Sequence, residues 1–157
     1  MEAERLIRFG LLGNANLEPY AILIVRVALG LFFAISGGSK LLVASRTQAM
    51  YETLVAAKVP LPRLMTYFVS LVELVGGCLL ILGLLSSLAS LALLGDMLVA
   101  ILTTNLSAMP KGLSPLNWLA DFLYLPEVLY ILFFAWLICS GPGKFSVDYL
   151  IAAKRLR

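Results

Sequence analysis

Four long apolar stretches dominate the pattern of hydrophobic and polar positions along the chain. Each is close in length to the roughly 20 residues that an α-helix needs to cross the hydrocarbon core of a bilayer. We place the four predicted spans at residues 19–43, 64–84, 88–106 and 122–140. The pattern therefore predicts an all-α fold, an integral membrane antiparallel four-helix bundle made by one domain over residues 1–157.

The segments outside these spans mix charged and apolar residues. Residues 1–18 and 144–157 are predicted to form short amphipathic helices that lie on the membrane surface at the two ends of the chain. Residues 44–62 predict a half-submerged helix, whereas residues 107–121 are rich in turn-forming residues and predict a loop. The first segment lacks the order of a secretory signal peptide, so we expect it to be retained.

The composition supports a membrane location, because 61% of the 157 residues are hydrophobic and only 13% are charged. A soluble domain of this length buries only about 70% of the surface that its unfolded chain exposes, which is too little to hide so much apolar surface. Most of the net charge of +3 lies at the C-terminal end, beside the membrane, which favours anionic lipid over nucleic acid as the partner. The chain contains no histidine, which excludes His-ligated haem, copper or zinc within it, and we predict no metal site.

The distribution of Lys and Arg predicts the orientation of the chain. Because the number of spans is even, both termini lie on the same side of the membrane. The terminal segments contain six cations and the two opposite loops contain four: Arg5, Arg8, Lys144, Lys154, Arg155 and Arg157 against Arg46, Lys58, Arg63 and Lys111. The positive-inside rule then places both termini in the cytoplasm and the multi-pass chain in the cell inner (cytoplasmic) membrane.

Two cations lie inside the first span. At helical spacing, one face of this span contains Arg26, Gly30, Phe33, Gly37 and Lys40. A charge at the centre of a bilayer costs about 2.5 kcal/mol or more, so we expect Arg26 to meet carboxylates on neighbouring helices rather than face lipid.

Each of the other spans contains a carboxylate. Glu73 lies near the middle of the second span on one face with Gly77, and Asp96 lies near the middle of the third span. The short join between these two spans predicts close antiparallel packing, which would bring Glu73 and Asp96 to similar depths. Glu127 lies near the start of the fourth span, toward the same outer side as Lys40.

These depths predict two ion pairs, Arg26 with Glu73 and Lys40 with Glu127, which leave Asp96 without a cation. In one interpretation the pairs only fix the register of the helices, and Lys40 and Glu127 reach to the membrane surface. In the other, intramembrane ionisable groups mark a path for a substrate or for protons, because their burial is otherwise costly.

The two cysteines, Cys78 and Cys139, lie within apolar runs and do not form a CxxC redox pair. Buried thiols behave mostly as small hydrophobic side chains, so we expect both to fill space in the structure. A disulfide or a sulfur-handling role is the alternative.

The order of these residues resembles the DoxX family of small four-helix bacterial membrane proteins. The residues that carry the resemblance are Arg26, Gly30, Phe33, Gly37 and Lys40, then Glu73-Leu74-Val75-Gly76-Gly77 with Gly83, then Glu127, and Gly141-Pro142-Gly143 followed by Ser146-Val147-Asp148. The last stretch resembles the family's GPG-x-x-S-x-D ending and is the most specific piece, and the resemblance covers residues 19–150. It implies a four-helix membrane bundle and a place in redox metabolism, by association with thiosulfate:quinone oxidoreductase and with thiol and oxidative-stress complexes at the membrane.

From the charges and this resemblance we predict a membrane component of a redox system, linked to quinone, that handles reduced sulfur or thiol compounds. Arg26, Glu73 and Asp96 are the predicted catalytic residues, because a quinone needs a donor for its oxygens and carboxylates that pass protons. Arg26, Phe33, Lys40 and Glu127 are predicted to bind this cofactor. Aromatic residues would surround the ring: Phe33, Tyr67, Phe68, Phe134 and Trp136.

Two other functions fit the same sequence. The chain could be a non-enzymatic membrane anchor or scaffold, with the basic C-terminal segment as its docking face. It could also transport a small solute, although four spans are few for a transporter and we find no inverted repeat. Whether the chain is an enzyme therefore stays open, as does its assembly with a partner subunit or with further copies of itself.

Overall fold

The structure is a computed structural model that describes residues 16–155. Within these residues the regular secondary structure is helical throughout. In chain order the helices are α1 (Glu18–Leu42), α2 (Ala44–Ala56), α3 (Pro62–Leu82), α4 (Ser86–Ala100), α5 (Pro115–Leu123), α6 (Pro126–Ser140) and α7 (Val147–Arg155). A π-helical turn, Ile101–Asn105, and a last short turn, Leu106–Ala108, continue α4. The amphipathic helix predicted for the N-terminal end falls almost entirely on residues outside the described part.

Three of these elements are long and apolar enough to cross a membrane: α1, α3 and the continuous run Ser86–Ala108. A fourth candidate span is the pair α5 and α6, which are bent by 62° at the short break between them. The described residues therefore contain three candidate spans, or four if the bent pair is one span. The prediction of an all-helical membrane protein is confirmed.

The straight fourth span predicted over residues 122–140 is wrong at its start. The loop predicted over residues 107–121 is helical from Pro115 onward, because α5 begins there and includes Phe122, and α6 begins only at Pro126. The residue before a proline is disfavoured in helical conformation, and Leu125 is accordingly extended, with φ −64° and ψ 125°. Proline itself is favourable in the first turn of a helix, so the chain bends and a new helix starts.

The closest helix packing joins α1 and α3 through glycines. A Cβ atom at Gly37 would overlap the backbone of Ser70 and Leu74, and one at Gly77 would overlap the backbone of Ala34. Small residues allow helices in a membrane to approach to backbone contact, where van der Waals packing is strongest. The predicted inward faces of both helices are confirmed, since the buried residues are Ile22, Arg26, Leu29, Gly30, Phe33 and Gly37 in α1 and Thr66, Ser70, Glu73, Gly76, Gly77 and Leu80 in α3.

The core lies where α4 and α6 complete the packing against this pair. Its buried residues are Ile22, Leu29, Phe33, Leu80, Ala89, Leu93, Met97, Phe134 and Leu137. Large apolar side chains also cover the outer faces, such as Ile24 at 67% and Ile35 at 68% exposed. Such an apolar exterior suits contact with lipid chains. Cys78 and Cys139 are free thiols on these outer faces, so their predicted burial is wrong.

The end of the chain folds back over the molecule. After α6 stops at Ser140, residues 141–146 form a loop that leads into α7. Asp148 fixes the start of α7 to the backbone at the beginning of α4, whereas Val147, Leu150 and Ile151 are exposed. The predicted C-terminal surface helix is confirmed as a helix over Val147–Arg155, without buried residues.

Candidate functional site

An ion pair joins the far end of α1 to the middle of α3. The Lys40 Nζ atom lies 2.7 Å from Glu73 Oε1 and 2.8 Å from Oε2. The Ser36 hydroxyl donates a third hydrogen bond to Glu73 Oε2 at 3.1 Å. Glu73 is only 4% exposed, whereas Lys40 is half-buried. The pair is thus held between two helices and accessible from one side.

This pairing differs from both predicted pairs, Arg26 with Glu73 and Lys40 with Glu127, and those predictions are wrong. The reason is the register set by the glycines. A Cβ at Gly37 would lie 2.8 Å from the Glu73 Cβ atom, which fixes Glu73 opposite the end of α1 that contains Lys40. Arg26 lies about 21 Å further back along α1, at 1.5 Å rise per residue.

A cavity of about 310 Å³ opens beside the ion pair, between α1, α2, α3, α4 and α6. Four of the predicted site residues with ionisable side chains line it: Lys40, Glu73, Asp96 and Glu127. The structure therefore brings together the carboxylates of three different helices and one cation. Lys40 lies in the last turn of α1 and Glu127 in the first turn of α6. The cavity therefore lies in the half of the molecule that contains α2 and residues 109–125.

Two carboxylate oxygens at the cavity have no partner among residues 16–155. Asp96 Oδ2 and Glu127 Oε2 are shielded from solvent, and neither has a hydrogen-bond partner among the described residues. Buried acceptors of this kind are normally satisfied, because leaving one unpaired costs free energy. A donor on a bound molecule would satisfy them, and a proton would remove the negative charge that makes an unpaired acceptor most costly.

Aromatic rings form one wall of the cavity. Phe32, Phe33 and Tyr130 line it and contact one another, with ring centroids 5.0 to 5.3 Å apart. Phe134 packs behind Phe33 at 5.2 Å and is fully buried. Three of the four predicted cofactor-binding residues thus lie at the cavity, namely Phe33, Lys40 and Glu127.

The other aromatic residues named from the sequence lie elsewhere. Tyr67, Phe68 and Trp136 are exposed on the outer faces of their helices and do not line this cavity. Helical spacing alone did not separate inward from outward rings, because the spans are apolar on every side.

Sequence reasoning missed a polar rim formed by the π-helical turn. Thr103, Thr104 and Asn105 belong to Ile101–Asn105 and line the cavity. The Thr103 hydroxyl bonds back to the Val99 carbonyl at 2.7 Å and approaches the Thr104 hydroxyl at 3.3 Å. Insertions of a π-turn into an α-helix are frequent at functional sites. The signal available in the sequence was a polar Thr-Thr-Asn triplet at the end of an apolar run.

Arg26 lies at the opposite end of α1 and does not line the cavity. One guanidinium nitrogen donates to the Leu80 carbonyl at 2.8 Å and, at 3.5 Å, to that of Ile81. The other donates to the Phe145 carbonyl at 2.6 Å. Arg26 is 1% exposed and forms no ion pair within residues 16–155, so backbone oxygens take the place of the expected carboxylate.

The Gly141 to Asp148 stretch closes over the turn between α3 and α4. Asp148 accepts hydrogen bonds from the backbone nitrogens of Leu85 and Ser86, both at 2.8 Å, and its own nitrogen donates to the Gly83 carbonyl at 2.9 Å. The buried Ser146 hydroxyl donates to the Gly143 carbonyl at 2.6 Å. We call Phe145, Ser146 and Asp148, with these bonds, the C-terminal latch. Arg26 is bound to it through Phe145.

These features define an integral membrane protein with a charged cavity between apolar helices. Residues 21–106 match the DoxX family, and the chain belongs to that family, as its sequence predicted. The matched region contains Arg26, Lys40, Glu73 and Asp96 but ends before Glu127 and before the C-terminal latch.

A relative with a similar length is an uncharacterized membrane protein of Mycobacterium tuberculosis. It is 31% identical over 137 residues, which cover 83% of this chain and 80% of the relative. No solved structure matches the chain with significance.

Within the described residues, no group of three or more His, Cys, Asp or Glu side chains is placed to hold a metal ion.

Proposed function

We propose that the chain is the membrane-embedded component of a redox system and that the cavity binds the head of a quinone. The observation that carries the proposal is the convergence of the Lys40–Glu73 ion pair with the unpaired oxygens of Asp96 and Glu127 on one aromatic-walled cavity. Intramembrane ionisable groups of this kind are costly and mark functional sites by default.

The residues at the cavity fit the needs of a quinone head. Phe32, Phe33 and Tyr130 offer an apolar surface for a planar ring, and ring-to-ring contact is favourable. Lys40 offers donors to a carbonyl oxygen, since only some of its three N–H groups are used by Glu73. The volume of about 310 Å³ falls at the lower end of the range for small-molecule sites.

The roles of the carboxylates follow from their partners. Glu73 is held by Lys40 and Ser36, so it keeps the ammonium in position at the cavity. Asp96 Oδ2 and Glu127 Oε2 are the atoms at which a proton can be held and passed, because they have no competing donor among the described residues. A bound quinone would supply the two-electron chemistry, and the chain would supply binding, orientation and proton carriers.

We further propose that the helices form an antiparallel four-helix bundle in the inner membrane with both termini cytoplasmic. The close packing of α1 on α3, of α3 on α4 and of α4 on α6 supports this arrangement. Electrons would come from a reduced sulfur or thiol compound, or from a partner subunit, since the chain contains no haem, flavin or metal motif. In this orientation the cavity would face the outer half of the membrane.

The experiment is a measurement of quinone bound to the purified protein. The chain is purified in mild detergent, extracted with solvent and analysed for quinone, and its membranes are assayed for quinone reduction. We expect K40M and D96N to lower both quinone content and quinone reduction by about tenfold, equivalent to the loss of one charged hydrogen bond. D121N is the matched control, because Asp121 is exposed and does not line the cavity.

Absence of quinone from the wild-type protein, with unchanged quinone reduction in K40M membranes, would refute the proposal. Recovery of one stoichiometric protein partner under those conditions would favour the membrane anchor instead.

A further inference from the structure

Two adjoining cavities lie between α2 and the beginning of α3, apart from the quinone site. One has a volume of about 300 Å³ and the other of about 590 Å³. They share three lining residues, Tyr51, Arg63 and Tyr67, and neither shares a lining residue with the cavity beside Lys40. Because of the shared residues we treat them as one recess, which uses other residues of α2 and α3 than the cavity beside Lys40 does.

The two cavities differ in chemistry. Beyond the shared residues, the smaller is lined by the polar side chains of Thr47, Gln48 and Thr66. The larger is lined instead by Leu61, Pro62 and Leu64, which are apolar. A recess that is polar at one end and apolar at the other suits an amphiphile, with its polar head beside the first group and its hydrocarbon beside the second.

Arg63 stands where these two halves meet. It is exposed and forms no ion pair among residues 16–155, so its charge is available to a ligand. It is the second residue of α3, a candidate membrane span, and therefore lies at the depth of lipid head groups rather than of lipid chains. Tyr51 and Tyr67 add amphipathic rings, which are favoured at that same depth.

We propose that this recess binds one glycerophospholipid, with its phosphate beside Arg63 and the start of an acyl chain along Leu61 and Leu64. The planar guanidinium matches a phosphate with two parallel hydrogen bonds, which gives both affinity and orientation. Basic pockets at the membrane surface bind lipid head groups through the same combination of charge and shape.

Such a lipid would also join two elements that are otherwise loosely connected. The short helix α2 buries only Leu54, and Tyr51 from α2 and Arg63 from α3 both face the recess. Occupancy is expected to stabilise α2 against α3, which supplies a readout that is independent of any redox activity.

The test uses the full chain, purified in detergent and stripped of lipid. Phosphatidylglycerol, diacylglycerol with the same acyl chains, and inorganic phosphate are added separately, and thermal unfolding and hydrogen exchange in α2 are measured. We expect phosphatidylglycerol alone to raise the melting temperature and to slow exchange in α2. R63Q is expected to weaken its binding by about tenfold or more, because it removes the charge and the two parallel hydrogen bonds, and R63K by less.

R46Q is the matched control, since Arg46 is an exposed cation on α2 that does not line the recess. Equal effects of R46Q and R63Q would show diffuse attraction to the lipid surface and would overturn the proposal. An equal response to inorganic phosphate would indicate a free-anion site, and an equal response to diacylglycerol an apolar contact only; either result would overturn it too. Loss of lipid binding with unchanged quinone content would leave the proposed redox function intact.

Discussion

The two ends of α1 place a cation on the same helical face, and the two cations are bound by different kinds of acceptor. Arg26 is enclosed by the carbonyl oxygens of Leu80, Ile81 and Phe145. Lys40 is paired with Glu73 beside a cavity that contains unpaired carboxylate oxygens. The comparison teaches that a buried cation in a membrane helix does not require an acidic partner.

The acceptors at the Arg26 end come from the termination of a helix. Leu80 and Ile81 belong to the last turn of α3, whose carbonyl groups lack the full set of intrahelical donors. The negative end of the helix dipole lies there as well and favours a positive charge. Arg26 is therefore bound by a feature of backbone geometry, whereas Lys40 is bound by a side chain that also faces a cavity.

The largest effect is expected from the R26M substitution, which removes the hydrogen bonds to three carbonyl groups at once. We expect it to lower the free energy of unfolding by about 3 kcal/mol, because hydrogen bonds from a buried charged donor are lost at three sites, although the Leu80 carbonyl keeps the Gly83 N–H as a donor. Unfolding in mixed micelles measures this change. Quinone content, expressed per folded protein, should remain unchanged, since Arg26 does not line the cavity. If R26M lowered the free energy of unfolding by less than K40M does, the contrast between the two ends of α1 would be contradicted.

An intermediate effect is expected at the Lys40 end, where the lysine is partly exposed. K40M and E73Q should each lower the free energy of unfolding by about 2 kcal/mol, since each leaves one charge without its partner. The double variant should lose less than the sum of the two, with a coupling of about 1 kcal/mol or more, because the two side chains contact each other directly. Additive losses in this double-mutant cycle would show that the ion pair contributes nothing to stability.

The smallest effect is expected at the C-terminal latch. D148A removes two hydrogen bonds to the backbone at the start of α4, and comparable losses of helix caps cost about 1 kcal/mol. D121A provides the comparison, because Asp121 lies exposed on α5. The melting temperatures of D148A and D121A in detergent measure the two changes in stability. If D148A proved as damaging as R26M, the latch rather than the α3 terminus would be the main support of the Arg26 end.

Much of the helical framework was predictable because bilayer thickness imposes long apolar runs. The sequence also named Lys40, Glu73, Asp96 and Glu127 as candidate site residues beside Arg26, since ionisable residues inside such runs are rare. The structure places all four at one cavity.

The pairing of those charges was not predictable from depth alone. It depends on the register of α1 against α3, which backbone contacts at Gly37 and Gly77 decide to within one helical turn. Depth estimates for a single span are too coarse for that purpose. The break before Pro126 and the π-helical turn were missed for a related reason, since both are local departures from a regular helix inside an apolar run.

The glycine contacts have one more consequence, which concerns the walls of the cavity. Because α1 and α3 pack at backbone contact through their glycines, we expect this pair to form the more rigid side of the cavity. Asp96 and Glu127 lie on α4 and α6, across the opening. Any widening or narrowing of the cavity therefore changes how far these two acids stand from the ammonium group, while the lysine and its glutamate keep their spacing.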